Sequence, residues 1–194
     1  MRIAVTLTSS LSVGEQYLTL AESFAEQVAA RGHGLVFGGT DYGMMKKVAD
    51  AYLAAGGRDL VGVMSRQLEA VTVGYRAHEG LQTAVWVETM GERKDEILRL
   101  ADGIVILPGG WGTFDELATF LAAKANKMPG ADKPIAFLDG SGFYEKLIAF
   151  LDDATGLGFS KIALADIAFR AGDAKEAIVA IESYAKVNLP DKFA

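Results

Sequence analysis

Two short stretches hold residues that could do chemistry together. The first, Pro108-Gly109-Gly110-Trp111-Gly112-Thr113-Phe114-Asp115-Glu116, leads from an apolar segment through a glycine-rich turn into a helix carrying carboxylates. Gly109, Gly110 and Gly112 let backbone approach a ligand, and the first amides of a helix are free donors. The turn therefore reads as an anion site, with a phosphate as its expected guest. Thr113 to Glu116 also fits a capping box, in which Thr113 caps the helix and Glu116 reaches back to its amide. Acidic residues in a first turn are favoured by the helix dipole without any catalytic duty. A plain cap, however, has no need of three glycines, whereas a backbone wrapped around an anion does. The second stretch, Met90-Gly91-Glu92-Arg93-Lys94, puts two cations at the start of a predicted helix. Among Glu92, Asp95 and Glu96 they resemble a solvated face with local ion pairs. Near the glycine turn, a guanidinium fork and an ammonium could instead hold a phosphate or orient a carboxylate.

Weaker signals accompany these two. Thr8-Ser9-Ser10 offers hydroxyls that bind phosphate or simply satisfy local backbone, and Gly38-Gly39-Thr40-Asp41-Tyr42-Gly43 is a turn whose Asp41 can cap the next helix. His33 follows a helix stop and reads as a surface or capping residue, and His33 and His78 form no ligand-spaced motif.

The elements that must position these residues alternate along the chain. Apolar runs at 2–7, 35–37, 60–64, 83–87, 103–107 and 134–138 read as strands. Helical spacing marks 14–31, a segment opening after Asp41, and 91–101, 113–127, 142–155 and 173–187. This pattern predicts an α/β fold, a doubly wound parallel sheet with helices on both faces. In such sheets ligands bind beyond the carboxyl ends of the strands, where the turns at Thr8 to Ser10, Gly38 to Thr40 and Gly109 to Gly112 would converge. No composition break divides the chain, so residues 1–194 are expected to form one domain.

Composition narrows the function classes. The 194 residues are 51% hydrophobic without a long uninterrupted apolar run, which predicts a globule and no membrane span. Met1 to Leu7 enter a strand directly, without the apolar stretch of a secretory signal, so a cytoplasmic setting is expected. With no cysteine there is no disulfide, thiolate nucleophile or cysteine-bound zinc. A net charge of −6 disfavours broad binding to nucleic acid or anionic lipid, leaving a small molecule as the expected partner.

Met90-x-x-Arg93-Lys94 joined to Pro108-Gly-Gly-x-Gly-Thr-x-x-Glu116 resembles the Lonely Guy (LOG) family of cytokinin riboside 5′-monophosphate phosphoribohydrolases. The similarity runs from Thr8-Ser9-Ser10 through Gly38-Gly39 and Lys133-Pro134 to Gly142-Phe143-Tyr144 and Gly158-Phe159. It implies a Rossmann-like nucleotide-binding domain that hydrolyses the N-glycosidic bond of AMP or an N6-modified AMP without metal or cofactor. It further implies a homodimer. Arg93 and Glu116 would be catalytic. Ser9, Ser10, Gly38, Gly39, Met90, Lys94, Gly109, Gly110, Trp111, Gly112 and Thr113 would hold the substrate and its phosphate. An older label for such proteins, lysine decarboxylase, would require a Schiff-base lysine with cofactor-holding partners, and neither Lys46 nor Lys94 has that setting. The chain departs from the family pattern at Thr40, Lys46, Gln67 and Ala122, which bears on phosphate-side geometry and on base or sugar selectivity. The alternative is a non-catalytic nucleotide or molybdenum-cofactor carrier on the same scaffold. The Arg93 and Glu116 pair discriminates, since a mere binder has no reason to need it.

Overall fold

The computed structural model describes residues 1–186 and 188–190. Its strands are β1 (Arg2–Thr6), β2 (Gly34–Phe37), β3 (Leu60–Ser65), β4 (Thr83–Val87), β5 (Gly103–Ile106), β6 (Ile135–Leu138) and β7 (Phe169–Ala171). The helices are α1 (Glu15–Ala30), α2 (Gly43–Ala54), α3 (Arg66–Val71), α4 (Met90–Leu100), α5 (Trp111–Ala125), α6 (Glu145–Gly156), α7 (Leu164–Ile167) and α8 (Ala174–Glu182). The strands form one sheet in the order β4-β3-β2-β1-β5-β6-β7, and every pairing is parallel. The expected α/β, Rossmann-like architecture is thus what the chain adopts.

Strand alternation sends successive side chains to opposite faces. Ile3 and Val5 of β1, Leu35 and Phe37 of β2 and Val105 of β5 pack with Phe24, Val28, Met44, Tyr52 and Ile178, placing α1, α2 and α8 on one face. Ala4, Val36, Val61, Val63, Ile104 and Ile106 pack with Ile97, Leu117, Phe120, Ile148 and Leu164, placing α4 to α7 on the other. The inner strands can be continuous apolar runs because both their faces are covered.

The winding decides where a site can form. The chain lays β2, β3 and β4 outward from β1, then α4 returns it across the sheet to set β5 on the other side of β1. The loops after β1 and β5 leave adjacent strands from this switch point, and the loop after β2 lies next to them.

Several boundaries differ from the sequence pattern. The six predicted strands are present, joined by β7, which at three residues is too short to show a period. The short helices α3 and α7 likewise carry too few residues to show a 3.6-residue repeat. Asp41 does not cap α2, whose N-cap is Tyr42 without a side-chain bond. Its carboxylate is taken instead by Arg76 at 2.6 Å and Lys46 at 3.1 Å, since two cations outcompete a backbone amide. The helix expected from residue 142 starts at Glu145, because Asp139 Oδ2 accepts the Tyr144 amide at 3.0 Å and closes a turn first. The expected last helix ends at Glu182, and Val187 lies outside the described residues.

The connection from β3 to β4 folds back over the turn after β2. The His78 amide donates to Gly39 O at 2.9 Å and the Asp41 amide to Arg76 O at 3.0 Å, flanking an antiparallel bridge between Thr40 and Ala77.

Candidate active site at the switch point

A capping box does exist, but on α4. Thr89 Oγ1 accepts from the Glu92 amide at 3.1 Å, and Glu92 Oε2 accepts from the Thr89 amide at 3.0 Å. With its first turn fixed this way, α4 directs Arg93 under the sheet end. Arg93 Nε donates to Val63 O of β3 at 2.8 Å, and Nη1 donates to Glu116 Oε1 at 2.8 Å. Nη2 lies against Gly38, where any Cβ would overlap it, so the close approach requires a glycine.

Glu116 comes from the second turn of α5. This helix begins at Trp111 with Gly110 as its N-cap, two residues before the expected start. Thr113 therefore lies inside the first turn, and the box expected between Thr113 and Glu116 does not form. Glu116 turns inward instead, with Oε1 on Arg93 and Oε2 accepting from Thr6 Oγ1. All three side chains are buried. Each carboxylate oxygen thus uses one lone pair on a fixed donor and keeps acceptor capacity for a further proton donor. The charge partner and the hydroxyl together fix where the carboxylate points.

The pattern did not single out Thr6. It sits at the end of an apolar strand, and the available signal is alternation: it shares the face of Ala4, the face that α5 covers.

The glycine turn joins β5 to α5. No side chain caps α5, so its first amides are unsatisfied within the helix. Thr113 is buried against Gly109, and among the described residues its hydroxyl has no hydrogen-bond partner. Trp111 is 88% exposed on the first turn. Lys94 meets Asp115 at 2.7 Å, so its ammonium is already partnered at the rim. The Met90 amide opens α4 and is taken by Gln67 Oε1 at 3.0 Å. In the loop after β1, Ser10 Oγ accepts from the Ser12 amide at 3.0 Å, and Ser9 O accepts from Met44 N at 3.3 Å, tying this loop to α2. Thus the ends of β1, β2 and β5, with α4 and α5, bring Thr6, Gly38, Gly39, Arg93, Glu116 and the glycine turn to one sheet edge. His33 and His78 lie elsewhere: His33 Nε2 meets Glu182 at 2.7 Å, and His78 Nε2 meets Asp50 at 3.0 Å while Nδ1 accepts the Gly80 amide. His33 also caps α1 through its backbone, as its place after the helix stop predicts: beyond Gly32, its amide donates to Val28 O at 3.1 Å.

The family model described as "Possible lysine decarboxylase" matches residues 45–181. The cytokinin riboside 5′-monophosphate phosphoribohydrolase LOG5 of Arabidopsis thaliana is 34% identical over 187 residues, covering 96% of this chain and 79% of that protein. The phosphoribohydrolase LOG of Oryza sativa subsp. japonica is 32% identical over 183 residues, covering 94% of this chain and 73% of its own.

The chain belongs to the LOG family.

Solved structures share the fold of this LOG-family chain. The molybdenum cofactor carrier protein of Chlamydomonas reinhardtii superposes with a TM-score of 0.69 at 23% identity, over 93% of this chain and 95% of that one. The molybdenum cofactor binding protein of Rippkaea orientalis gives 0.66 at 17% identity, with 94% of each chain covered. These likenesses concern the fold alone.

Lys46, Lys124 and Lys133 do not fit the decarboxylase label. Asp41, and after it Asp50, raise Lys46 above the ordinary lysine value, the opposite of what an imine-forming amine needs. Burial lowers Lys124 and Lys133, yet both spend their ammonium groups on backbone carbonyls: Lys124 on Lys133 O, Lys133 on Leu98 and Ala101.

Proposed function

We propose that this LOG-family chain hydrolyses the N-glycosidic bond of a purine nucleoside 5′-monophosphate, AMP or an N6-modified AMP such as a cytokinin riboside monophosphate. The products are free base and ribose 5-phosphate. One observation carries the reading: a buried Arg93 and Glu116 pair, fixed on its other oxygen by Thr6, adjoins a glycine turn with unsatisfied helix amides.

The chemistry follows from those groups. The bond between C1′ and the base nitrogen breaks as water oxygen bonds to C1′; the hydroxyl stays on the sugar and the second hydrogen of water ends on the base. Positive charge develops on the ribose in the transition state, and the Glu116 carboxylate stabilises it and accepts the water proton. Arg93 holds that carboxylate in place and meets the ribose or phosphate. The amides of Gly110, Trp111, Gly112 and Thr113, with the Thr113 hydroxyl, seat the phosphate at the α5 N-terminus, and Gly109 lets the Thr113 side chain pack beneath the turn. Ser9, Ser10, Gly38, Gly39 and Met90 line the remaining wall, and Lys94 supports the rim. In this reading no metal or cofactor takes part, and the protein works in the cytoplasm as a homodimer. Exposed Phe150, Leu157 and Phe159 supply apolar surface for association.

The test is incubation of the purified protein with AMP and isopentenyl-AMP, following base and ribose 5-phosphate by chromatography, with sedimentation giving the mass. Equal amounts of both products are expected. Glu116→Gln should lose turnover by about 10²–10⁴-fold while nucleotide affinity stays within about threefold. If no purine monophosphate releases base while an active relative does so in parallel, the reading fails. Tight nucleotide binding without turnover is what a carrier would give, and equal loss of both properties in the variant would assign Glu116 to binding or folding.

A further inference from the structure

Beyond the groups that meet the substrate, we propose that Tyr144 is a positioning residue: its buried hydroxyl fixes the turn after β5 in the shape that presents the Gly110 to Thr113 amides to a phosphate. This rests on the proposed reading of that turn as the phosphate seat.

Leu107 is the hinge between β5 and the glycines, and both of its peptide groups are held. Its amide donates to Thr6 O of β1 at 2.9 Å, and its carbonyl accepts from Tyr144 Oη at 2.7 Å. The following residue, Pro108, has no amide and keeps Leu107 extended. The Gly109 amide also bears on the Tyr144 phenol. One side chain from the next strand-to-helix turn therefore fixes the carbonyl before Pro108 and lies at the amide after it. Because Thr6 anchors Leu107 through its backbone and Glu116 through its hydroxyl, the phosphate turn and the carboxylate share one reference point.

Tyr144 is itself held tightly. Its ring meets Phe137 edge-on at 5.2 Å and Phe143 at 4.9 Å, and its amide is the one bound by Asp139. Burial, and then the neighbouring Asp139 charge, push the phenol well above its ordinary value, so it stays a donor at working pH. A residue serving only as core filler would be as well served by phenylalanine. The hydroxyl costs desolvation and recovers it at the carbonyl that leads into the turn.

Tyr144→Phe removes that oxygen and leaves the ring. Ribose 5-phosphate binding by calorimetry reads the effect without turnover, so failure of the proposed reaction and failure of this brace are separable. We expect the dissociation constant for ribose 5-phosphate, and KM for AMP, to rise about tenfold with kcat within about twofold, the loss of roughly one hydrogen bond's worth of preorganisation. The control is Tyr52→Phe. The equally buried Tyr52 hydroxyl donates to His33 O at 2.8 Å and accepts the Asp59 amide at 3.2 Å, at the opposite end of the sheet. It should leave both constants unmoved. Asp139→Ala, which frees the Tyr144 amide but keeps the phenol, should raise them by about threefold, and it decides the matter if Tyr144→Phe does not fold. Unchanged phosphate affinity in Tyr144→Phe, or an equal rise in Tyr52→Phe, would overturn the proposal.

Discussion

Two arginine and carboxylate pairs of the same length lie at opposite edges of the sheet. Arg93 meets Glu116 at 2.8 Å at the carboxyl edge, and Arg2 meets Asp59 at 2.8 Å at the amino edge. Their surroundings differ. The side chains of the first pair are 4% and 8% exposed, those of the second 38% and 41%. Water screens the exposed pair, which makes it worth little, whereas the buried pair has lost its hydration and depends on its partner. The amino edge also holds a cavity of about 760 Å³, lined in part by Arg2, His33, Tyr52, Arg58, Asp59 and Asp102. Its cations and carboxylates neutralise one another in the open, and two helix C-termini with their negative dipole ends border it. In the proposed reading, therefore, the chemistry is located by a desolvated, fixed charge beside unsatisfied amides rather than by open volume.

Breaking the two pairs should separate them most clearly. Arg93→Met leaves Glu116 a buried carboxylate with Thr6 as its remaining donor and should destabilise the fold by about 3–5 kcal/mol, whereas Asp59→Ala should cost about 0–1 kcal/mol. Urea unfolding of both variants measures this, and equal losses would erase the distinction between the edges. Thr6→Val comes next. It keeps the shape of Thr6, removes the donor to Glu116, and should lower kcat about tenfold with KM little changed, while Thr6→Ser restores the donor and the rate. An undiminished kcat in Thr6→Val would show that Arg93 alone orients the carboxylate.

The smallest effect belongs to the amino edge. Glu182 accepts from His33 at 2.7 Å and from Arg31 at 2.6 Å, and chiefly the His33 contact lowers its carboxyl below the ordinary 4.5. A carboxylate with a depressed folded value stabilises fully above its unfolded value and loses that contribution as pH falls through the folded one. Glu182→Gln should therefore cost under about 1 kcal/mol at pH 7 and less than that at pH 3, as measured by urea midpoints at both. A larger loss at pH 3 than at pH 7 would reverse the sign.

The architecture was legible where periodicity was long. β4 carries the span its apolar run predicts, Thr83–Val87, and the alternation of strands with helices of three or more turns fixes the doubly wound class. Elements of a single turn or three residues, such as α7 and β7, are set by packing against neighbours and leave no period to read. At the candidate site the residue types were legible and their pairing was not. Thr113 and Glu116 satisfy a local rule for capping, but a buried Arg93 across from α5 offers Glu116 a charged donor, and this long-range contact overrides the local pattern. Thr6 was invisible for the complementary reason: a single hydroxyl in an apolar strand acquires meaning only once the helix opposite is known. Lys94 has the predicted neighbourhood but spends its charge on Asp115.

The backward fold of the β3 to β4 connection over the turn after β2 has a consequence for motion. The amides of His78 and Asp41 each bond to the other's segment, across the Thr40 and Ala77 bridge. Neither segment can open without releasing the other. Hydrogen exchange at these two amides should therefore report one shared opening event, and a nucleotide resting on Gly38 and Gly39 would slow exchange in a stretch of chain that it never touches.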